Sequence, residues 1–93
     1  MHYFYILSNN AGTVLSTGVT SDLKRSVEER KAKRDAGATS RSDISYLVYF
    51  EGWDEESSAI AREAEIKGLS WLRQTLLINH DNPEWLDLYY ELA

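Results

Sequence analysis

Two short runs of aromatic and β-branched residues lie near the start of the chain. The first covers residues 3–7 and the second covers residues 13–20; Ser, two Asn, Ala and Gly separate them. Two such runs on either side of an Asn/Gly turn are typical of a β-hairpin. A third run of the same kind, residues 44–50, predicts one more strand after an intervening segment.

Helical segments are predicted between the strands and after them, because capping residues stand before each one and Gly ends two of them. The expected helices, with capping and terminating residues, are 22–36 (Ser21 or Asp22, Gly37), 54–67 (Asp54, Gly68), 70–78 (Ser70) and one opened by Asn82-Pro83. Proline suits the first turn of a helix, which is why the last one is placed there. The predicted order is ββαβααα, an α/β (α+β) arrangement in one domain spanning residues 1–93.

Size and composition narrow the possible classes of protein. A chain of 93 residues has room for one modest core, and no apolar run approaches the roughly 18 residues that cross a membrane. With no cysteine there is no disulfide framework, thiolate metal site or Cys nucleophile. We therefore expect a cytoplasmic protein without a membrane partner.

Charge is distributed unevenly along the chain, although the net value is −5. Residues 1–21 carry no charge, residues 22–43 hold seven basic and five acidic side chains, and residues 51–93 hold three basic and ten acidic ones. Phosphate binding needs a positive surface. Any nucleic-acid contact is therefore expected to be local and to involve the first helix.

Glu63 is the most informative single residue, because it lies at the centre of the packing stripe of its helix. At 100° per residue the other members of that stripe are Ala59, Ile60, Ile66 and Lys67, whereas Arg62 and Glu65 point away. An inward carboxylate needs a partner. Glu63 either reaches a cleft edge or pairs with an arginine, or it holds a hard divalent ion such as Mg²⁺, which needs few protein ligands.

The helix over 22–36 places two arginines, Arg30 and Arg34, on the same stripe as Leu23 and Val27, with Ser26 beside it. Arginines on a partly inward face are suited to clamping phosphate. A solvated basic face is the alternative interpretation of the same pattern.

Taken in order, five segments resemble the small stand-alone bacterial members of the GIY-YIG nuclease superfamily. They are residues 3–9, 18–23, 46–51, 59–68 and 82–88. The resemblance implies a small three-stranded, mostly antiparallel sheet flanked by helices. It also implies hydrolysis of DNA phosphodiesters with one divalent ion, Mg²⁺ or Mn²⁺.

Two site residues of the superfamily are kept in this sequence. Tyr5 matches a first-strand tyrosine that orients the site, and Glu63 matches the metal-binding glutamate. Ser16 stands where the superfamily has the tyrosine that helps activate water, and Ser26 stands where it has an arginine that stabilises the phosphate. Arg30 replaces a His or Tyr one turn later.

The lost cation has possible substitutes nearby. Arg30 is four residues from Ser26 on one helical face, and Arg25 is adjacent, so either could supply the charge. Asn82 stands near the variably placed C-terminal asparagine of the superfamily. The expected nucleic-acid contacts are Lys24, Arg25, Arg30, Lys31, Arg34 and Lys67.

Two functional hypotheses therefore stay open. One is a metal-dependent endonuclease with weak or degenerate activity, in which Tyr5, Ser16, Arg25, Ser26 and Arg30 surround the metal ligand. The other is a non-catalytic module on the same fold that binds nucleic acid or protein, as a monomer or a homodimer. Four aromatic side chains are candidates for a protein contact: Trp53, Trp71, Tyr89 and Tyr90.

Overall fold

The computed structural model describes residues 1–35 and 44–92, and the side chains of Arg34 and Asp35 lie outside that description. Seven elements follow one another along the chain. They are β1 (His2–Ser8), β2 (Leu15–Thr20), α1 (Leu23–Asp35), β3 (Tyr46–Trp53), α2 (Glu56–Lys67), α3 (Trp71–Asp81) and a C-terminal 3₁₀ helix (Leu88–Glu91). The predicted order of strands and helices is confirmed, and the last helix is a short 3₁₀ turn.

The three strands form an antiparallel sheet in the order β2-β1-β3, so β1 is central and β2 lies at an edge. Tyr5 on β1 faces Gly18 on β2 and Phe50 on β3. The register between β1 and β3 shifts at Ile6/Leu7. The three-stranded antiparallel sheet flanked by helices agrees with the predicted fold class.

Helices cover both faces of the sheet. Successive side chains of a strand point to opposite sides, so each face has its own buried cluster. One face buries Leu7 and Leu47 against α1, which contributes Leu23 and Val27. The other face buries a second cluster against α2 and α3: Phe4, Ile6, Val48, Tyr49, Ile66 and Ile78. Tyr5 belongs to the α1 side, whereas its neighbour Ile6 belongs to the α2 side.

Two predicted helix caps are present in the structure. Oδ1 of Asp22 accepts a hydrogen bond from the backbone N–H of Arg25 at the start of α1. Oγ of Ser70 accepts one from the backbone N–H of Arg73 at the start of α3. The predicted end of α1 at Gly37 lies outside the described residues.

Other predicted boundaries were wrong. β3 begins at Tyr46 and continues to Trp53, because residues 51–53 pair with the start of β1. α2 begins at Glu56, after Glu55 and not at Asp54, and no side-chain cap precedes it. α3 extends beyond residue 78 to Asp81.

Asn82-Pro83 does not open a helix. The Asn82 side chain is buried, and its amide nitrogen donates to the carbonyl oxygens of Val48 and Leu86, each at 3.0 Å. Its carbonyl oxygen accepts from the N–H of Leu86 at 3.0 Å. Asn82 therefore fastens a tight turn to β3. No helix in the described part of the chain is long and apolar enough to cross a membrane.

Candidate active site

Gly18 on edge strand β2 gives the ring of Tyr5 the space to lie across that strand. A Cβ at Gly18 would stand 2.5 Å from both Cζ and Oη of Tyr5, closer than real Cβ atoms approach other atoms. Tyr5 and Gly18 are direct partners in the sheet, so their side-chain positions share one face. The glycine is needed here for close approach.

Charged side chains on α1 and α2 affect the pKa of the Tyr5 hydroxyl. Its pKa is raised above the ordinary value of 10.0, first because the phenol is partly buried. The positive charge of Arg30 on α1 acts in the opposite direction, and the carboxylates of Glu63 and Glu29 raise the pKa again. Tyr5 therefore keeps its proton at neutral pH and is available as a hydrogen-bond donor, not as a base.

Glu63 is partly buried on α2, between the buried residues Ala59 and Ile66 of the same helix. Its Oε2 accepts a hydrogen bond of 3.0 Å from the hydroxyl of Thr17 on β2. Thr17 is paired with Ile6, so it points to the α2 side, opposite to Gly18. Glu63 and Tyr5 thus approach edge strand β2 from opposite faces of the sheet.

Thr17 was missed by the sequence analysis. The residue is one of several small polar residues in β2, and no spacing in the sequence connects it with a helix 46 residues later. One pattern could have indicated it: strand alternation puts Thr17 on the face opposite Gly18, which is the face that α2 covers.

Glu63 presents one carboxylate as a candidate ligand for a divalent cation. Among the side chains that the structure describes, none forms an ion pair with Glu63. The same part of the chain contains no cluster of three or more His, Cys, Asp or Glu residues that could hold a metal. Mg²⁺ is suited to such a site because it keeps several waters and takes one or two carboxylates.

The two serines at the substituted positions make no charged contact in the described part of the chain. Ser26, partly buried at the start of α1, donates a hydrogen bond of 2.7 Å to Oγ1 of Thr20. Ser16 is partly buried on β2 opposite Leu7, which places it on the same face as Gly18 and Tyr5. Neither serine carries the charge or the aromatic hydroxyl that the superfamily resemblance implies at these positions.

The predicted basic contacts fall into different environments. Lys24, Arg25 and Lys67 are exposed, Arg30 is partly buried, and the side chain of Arg34 lies outside the described part. Lys31 does not fit the predicted phosphate contact, because its ammonium group points into the protein.

The ammonium group of Lys31 is held by polar and aromatic partners. It donates to the backbone carbonyl of Ser45 at 3.0 Å and to Oδ2 of Asp87 at 2.5 Å. Three tyrosine rings surround it, with centroids 5.2–5.5 Å from Nζ: Tyr46, Tyr89 and Tyr90. Such a group is not available to a ligand.

Arg62 does not point away from the sheet as predicted. Its guanidinium donates to both carboxylate oxygens of Glu51 on β3, at 2.9–3.1 Å, and it also pairs with the exposed Glu65. Glu51 further accepts from the hydroxyl of Tyr49 and the indole N–H of Trp53. This ion pair belongs to the packing of α2 on β3.

Comparison with known proteins agrees with this architecture. Residues 1–74 match the family model of the GIY-YIG catalytic domain, and the chain belongs to that family. It is similar to a UPF0213 protein of Natronomonas pharaonis, 39% identical over 77 residues that cover 83% of this chain and 89% of that one. A UPF0213 protein of Staphylococcus saprophyticus is 33% identical over 78 residues, covering 84% of this chain and 94% of that one.

A solved structure is similar as well. The solution NMR structure of the UPF0213 protein BH0048 from Bacillus halodurans superposes with a TM-score of 0.58 at 26% identity. The superposition covers 92% of this chain and 90% of that one. The superposed share of this chain is therefore larger than the 74 residues of the family match.

Proposed function

We propose that this protein is a slow endonuclease that hydrolyses DNA phosphodiesters with a divalent metal ion. Two observations carry the proposal. The Tyr5 ring lies across edge strand β2, the strand to which Thr17 links the Glu63 carboxylate. The charges of Arg30 and Glu63 both act on the Tyr5 hydroxyl. A hydrogen-bond donor, a cation and a metal-binding carboxylate are the groups that a charged phosphate transition state needs.

Each of the three residues has a distinct role in the proposal. Glu63 would bind Mg²⁺ or Mn²⁺, and the hydrogen bond from Thr17 would orient the Glu63 carboxylate. A bound divalent ion supplies Lewis-acid stabilisation of the charge that develops on the phosphate. Tyr5, protonated at neutral pH, donates a hydrogen bond that orients the attacking water or a phosphate oxygen. Arg30 supplies a positive charge that acts on the Tyr5 hydroxyl, and Arg25, exposed in the first turn of α1, is a second candidate cation.

The reaction is expected to be slow because two groups of the site are absent. Ser16 and Ser26 offer neither the aromatic hydroxyl nor the cation that family resemblance places there. Loss of one preorganised donor typically lowers a rate by about 10²–10³. The remaining constellation retains the metal carboxylate, one phenol and one relocated arginine.

DNA would meet exposed basic side chains on both helices, Lys24 and Arg25 on α1 and Lys67 on α2, which we call the basic surface. All three side chains are exposed. Because these side chains would neutralise DNA phosphates and release counterions, affinity should fall as salt is raised. Charge reversal at any of the three residues should weaken binding to all DNA sequences alike.

A second candidate function is favoured by the same two serines. A domain that binds nucleic acid without cutting it would keep the basic surface and lose the groups that act only in the transition state. The two candidates differ in one measurable property, which is metal-dependent cleavage.

The experiment is a cleavage assay on branched, single-stranded and duplex DNA with Mg²⁺ or Mn²⁺. We expect slow cleavage by the wild type and at least a hundredfold loss in Glu63→Gln. Glu65→Gln is the matched control, because Glu65 is exposed on the same helix and its pair with Arg62 is a surface one. Binding without cleavage would replace the endonuclease by the non-catalytic module, and absence of both would overturn the proposal.

A further inference from the structure

A cleft that contains none of the candidate active-site residues lies at the loop end of the β1–β2 hairpin. Its volume is about 390 Å³, and the hairpin loop, α3 and the turn after α3 enclose it. Three aromatic side chains line it: Trp71 from α3, Trp85 from the turn and Tyr46 from the start of β3. Nothing in the proposed hydrolysis uses these residues.

Trp85 is held in this cleft by a backbone conformation that bulky residues rarely adopt. Its φ is 54°, in the left-handed region, and its N–H donates to the carbonyl oxygen of Asn82 at 2.9 Å. The indole N–H donates to Oδ1 of Asn79 at 2.5 Å. Strain that is kept by such surrounding bonds is a common mark of a ligand site.

The hairpin loop closes against the same indole. A Cβ at Gly12, whose φ is +71°, would stand 3.3 Å from the Trp85 ring. Gly12 therefore serves both the turn and the close approach of loop backbone to ring. The loop and the strained turn together form one side of the cleft, with the Trp85 ring between them.

The cleft is uncharged, in contrast to the chain around it. Within residues 1–35 and 44–92 no charged side chain lines it, although the protein carries 25 formally charged side chains of Asp, Glu, Lys and Arg. Amide and hydroxyl groups complete the lining, among them Asn10, Thr75 and Asn79. Aromatic walls with a few hydrogen-bonding groups and no charge suit a flat, neutral heterocycle.

We propose that this cleft binds an unpaired base of a nucleic acid strand whose backbone passes the candidate active site. The inference rests on the proposed DNA substrate. Ser8, which lines the cleft, is three residues beyond Tyr5 on β1, and three residues of strand span about 10 Å. A few nucleotides of an unpaired strand span that length, so one short single-stranded segment reaches both places.

The test is the affinity of fluorescein-labelled twelve-nucleotide oligothymidylate, measured by anisotropy. It is compared with a fully abasic strand of the same length and charge. Both are measured with EDTA on the Glu63→Gln background, so that neither metal binding nor cleavage affects the result. We expect the strand with bases to bind about 5- to 150-fold more tightly, the range of stacking on one aromatic side chain.

Trp71→Ala should remove that preference, and Trp71→Phe should keep most of it. Trp71 is 52% exposed, so its replacement leaves the core intact. Leu76→Ala on the same helix, 59% exposed and outside the cleft, is the matched control and should change nothing. Thermal melts confirm that each variant is folded.

Equal affinity for the two strands in the parent protein, or a preference that persists in Trp71→Ala, overturns the base site. This failure is distinguishable from failure of the endonuclease proposal. Cleavage that depends on Glu63 with no effect of Trp71 removes only the base site. A Trp71-dependent preference without any cleavage leaves the base site in place and removes only the hydrolysis.

Discussion

The hydroxyl of Thr17 donates a 3.0 Å hydrogen bond to Oε2 of Glu63 and so links edge strand β2 to α2. This bond fixes the position of Oε2 and so sets the orientation of the whole carboxylate. Residues that orient a metal ligand typically contribute 10- to 100-fold in metal affinity.

We therefore expect Thr17→Val, which keeps the shape and loses the donor, to weaken Mn²⁺ binding by about 10- to 100-fold. Thr17→Ser keeps the hydroxyl and should bind nearly as well as the wild type. Isothermal titration with Mn²⁺ measures both, with Glu63→Gln as the reference without a site. Equal affinity in the Val and Ser variants would show that Thr17 has no orienting role.

Gly18→Ala tests the close approach of the Tyr5 ring. The added Cβ would stand 2.5 Å from the phenol, so the ring must leave its position. We expect a loss of about 1–3 kcal/mol in the free energy of unfolding, measured by urea denaturation. The cost should be smaller on a Tyr5→Ala background, because the clash is then gone.

Gly68→Ala is the control for that experiment. A Cβ at Gly68 would meet the nearest atom at 3.5 Å, which is an ordinary contact, and its φ is −78°. That variant should be neutral or more stable by up to about 1 kcal/mol, since alanine restricts the unfolded chain.

Restoring the absent groups should raise the rate of cleavage. Ser16 shares a face with Tyr5, so Ser16→Tyr places a second phenol beside the first. Ser26→Arg adds a cation at the start of α1, at the loss of the bond to Thr20. Each change should increase single-turnover cleavage by about 10²–10³.

The control for this gain is Ser26→Gln, which adds comparable bulk without charge. Folded variants that bind Mn²⁺ as the wild type does and still show no faster cleavage would contradict the assignment of these positions.

The free energy of unfolding at acidic pH should depend on the ionisation of Glu51. Burial tends to raise its pKa, but hydrogen bonds from Arg62, Tyr49 and Trp53 outweigh burial and lower the pKa below its ordinary 4.5. Because the pKa of Glu51 is lower in the folded state than in the unfolded state, the ionised carboxylate contributes its full stabilisation above pH 4.5. That stabilisation is lost as the pH falls through the pKa of Glu51 in the folded protein.

Glu51→Gln should therefore cost about 1.5–3 kcal/mol at pH 7, the contribution of hydrogen bonds to a charged group. The loss relative to the wild type should shrink at pH values below 4.5. Glu56→Gln, an exposed change of the same charge, is the control. Parallel stability profiles of the wild type and Glu51→Gln across the acid range would refute the linkage.

Lys31 should matter for folding more than for binding. Its removal leaves the Asp87 carboxylate without its cation, and breaking a buried ion pair costs about 3–5 kcal/mol. We expect Lys31→Ala to lower the free energy of unfolding by that amount. Lys33→Ala, exposed on the same helix, should change it by less than about 0.5 kcal/mol. Equal stability of the two variants would contradict the role of Lys31.

Local patterns were enough to predict the hairpin, the caps by Asp22 and Ser70, and the burial of Ala59 and Ile66 on α2, whereas Ile60 and Lys67 of the same predicted stripe are exposed. These features depend on residues close together in sequence. The inward turn of Lys31 depends on Asp87, 56 residues later, so a basic run in α1 could not indicate it. The role of Thr17 was hidden for the same reason, since its partner is 46 residues away.

The extent of β3 and the role of Asn82 depend on tertiary pairing. Residues 51–53 contain Gly and precede a helix, a pattern that favours a turn, but hydrogen bonding with β1 keeps them extended. Asn82-Pro83 has the local appearance of a helix start. The buried amide of Asn82 instead finds the free carbonyl of Val48, a group that the linear pattern does not reveal.

The contacts of the C-terminal turn with β3 determine which part of the chain must fold as one unit. The family match ends at residue 74, inside α3, yet Ile78 is fully buried and Asp87 accepts a hydrogen bond from the backbone N–H of Leu47. We propose that the whole chain unfolds cooperatively. A fragment cut at the limit of the family match would lose one wall of its interior, so the matched segment is smaller than the unit that we expect to fold together.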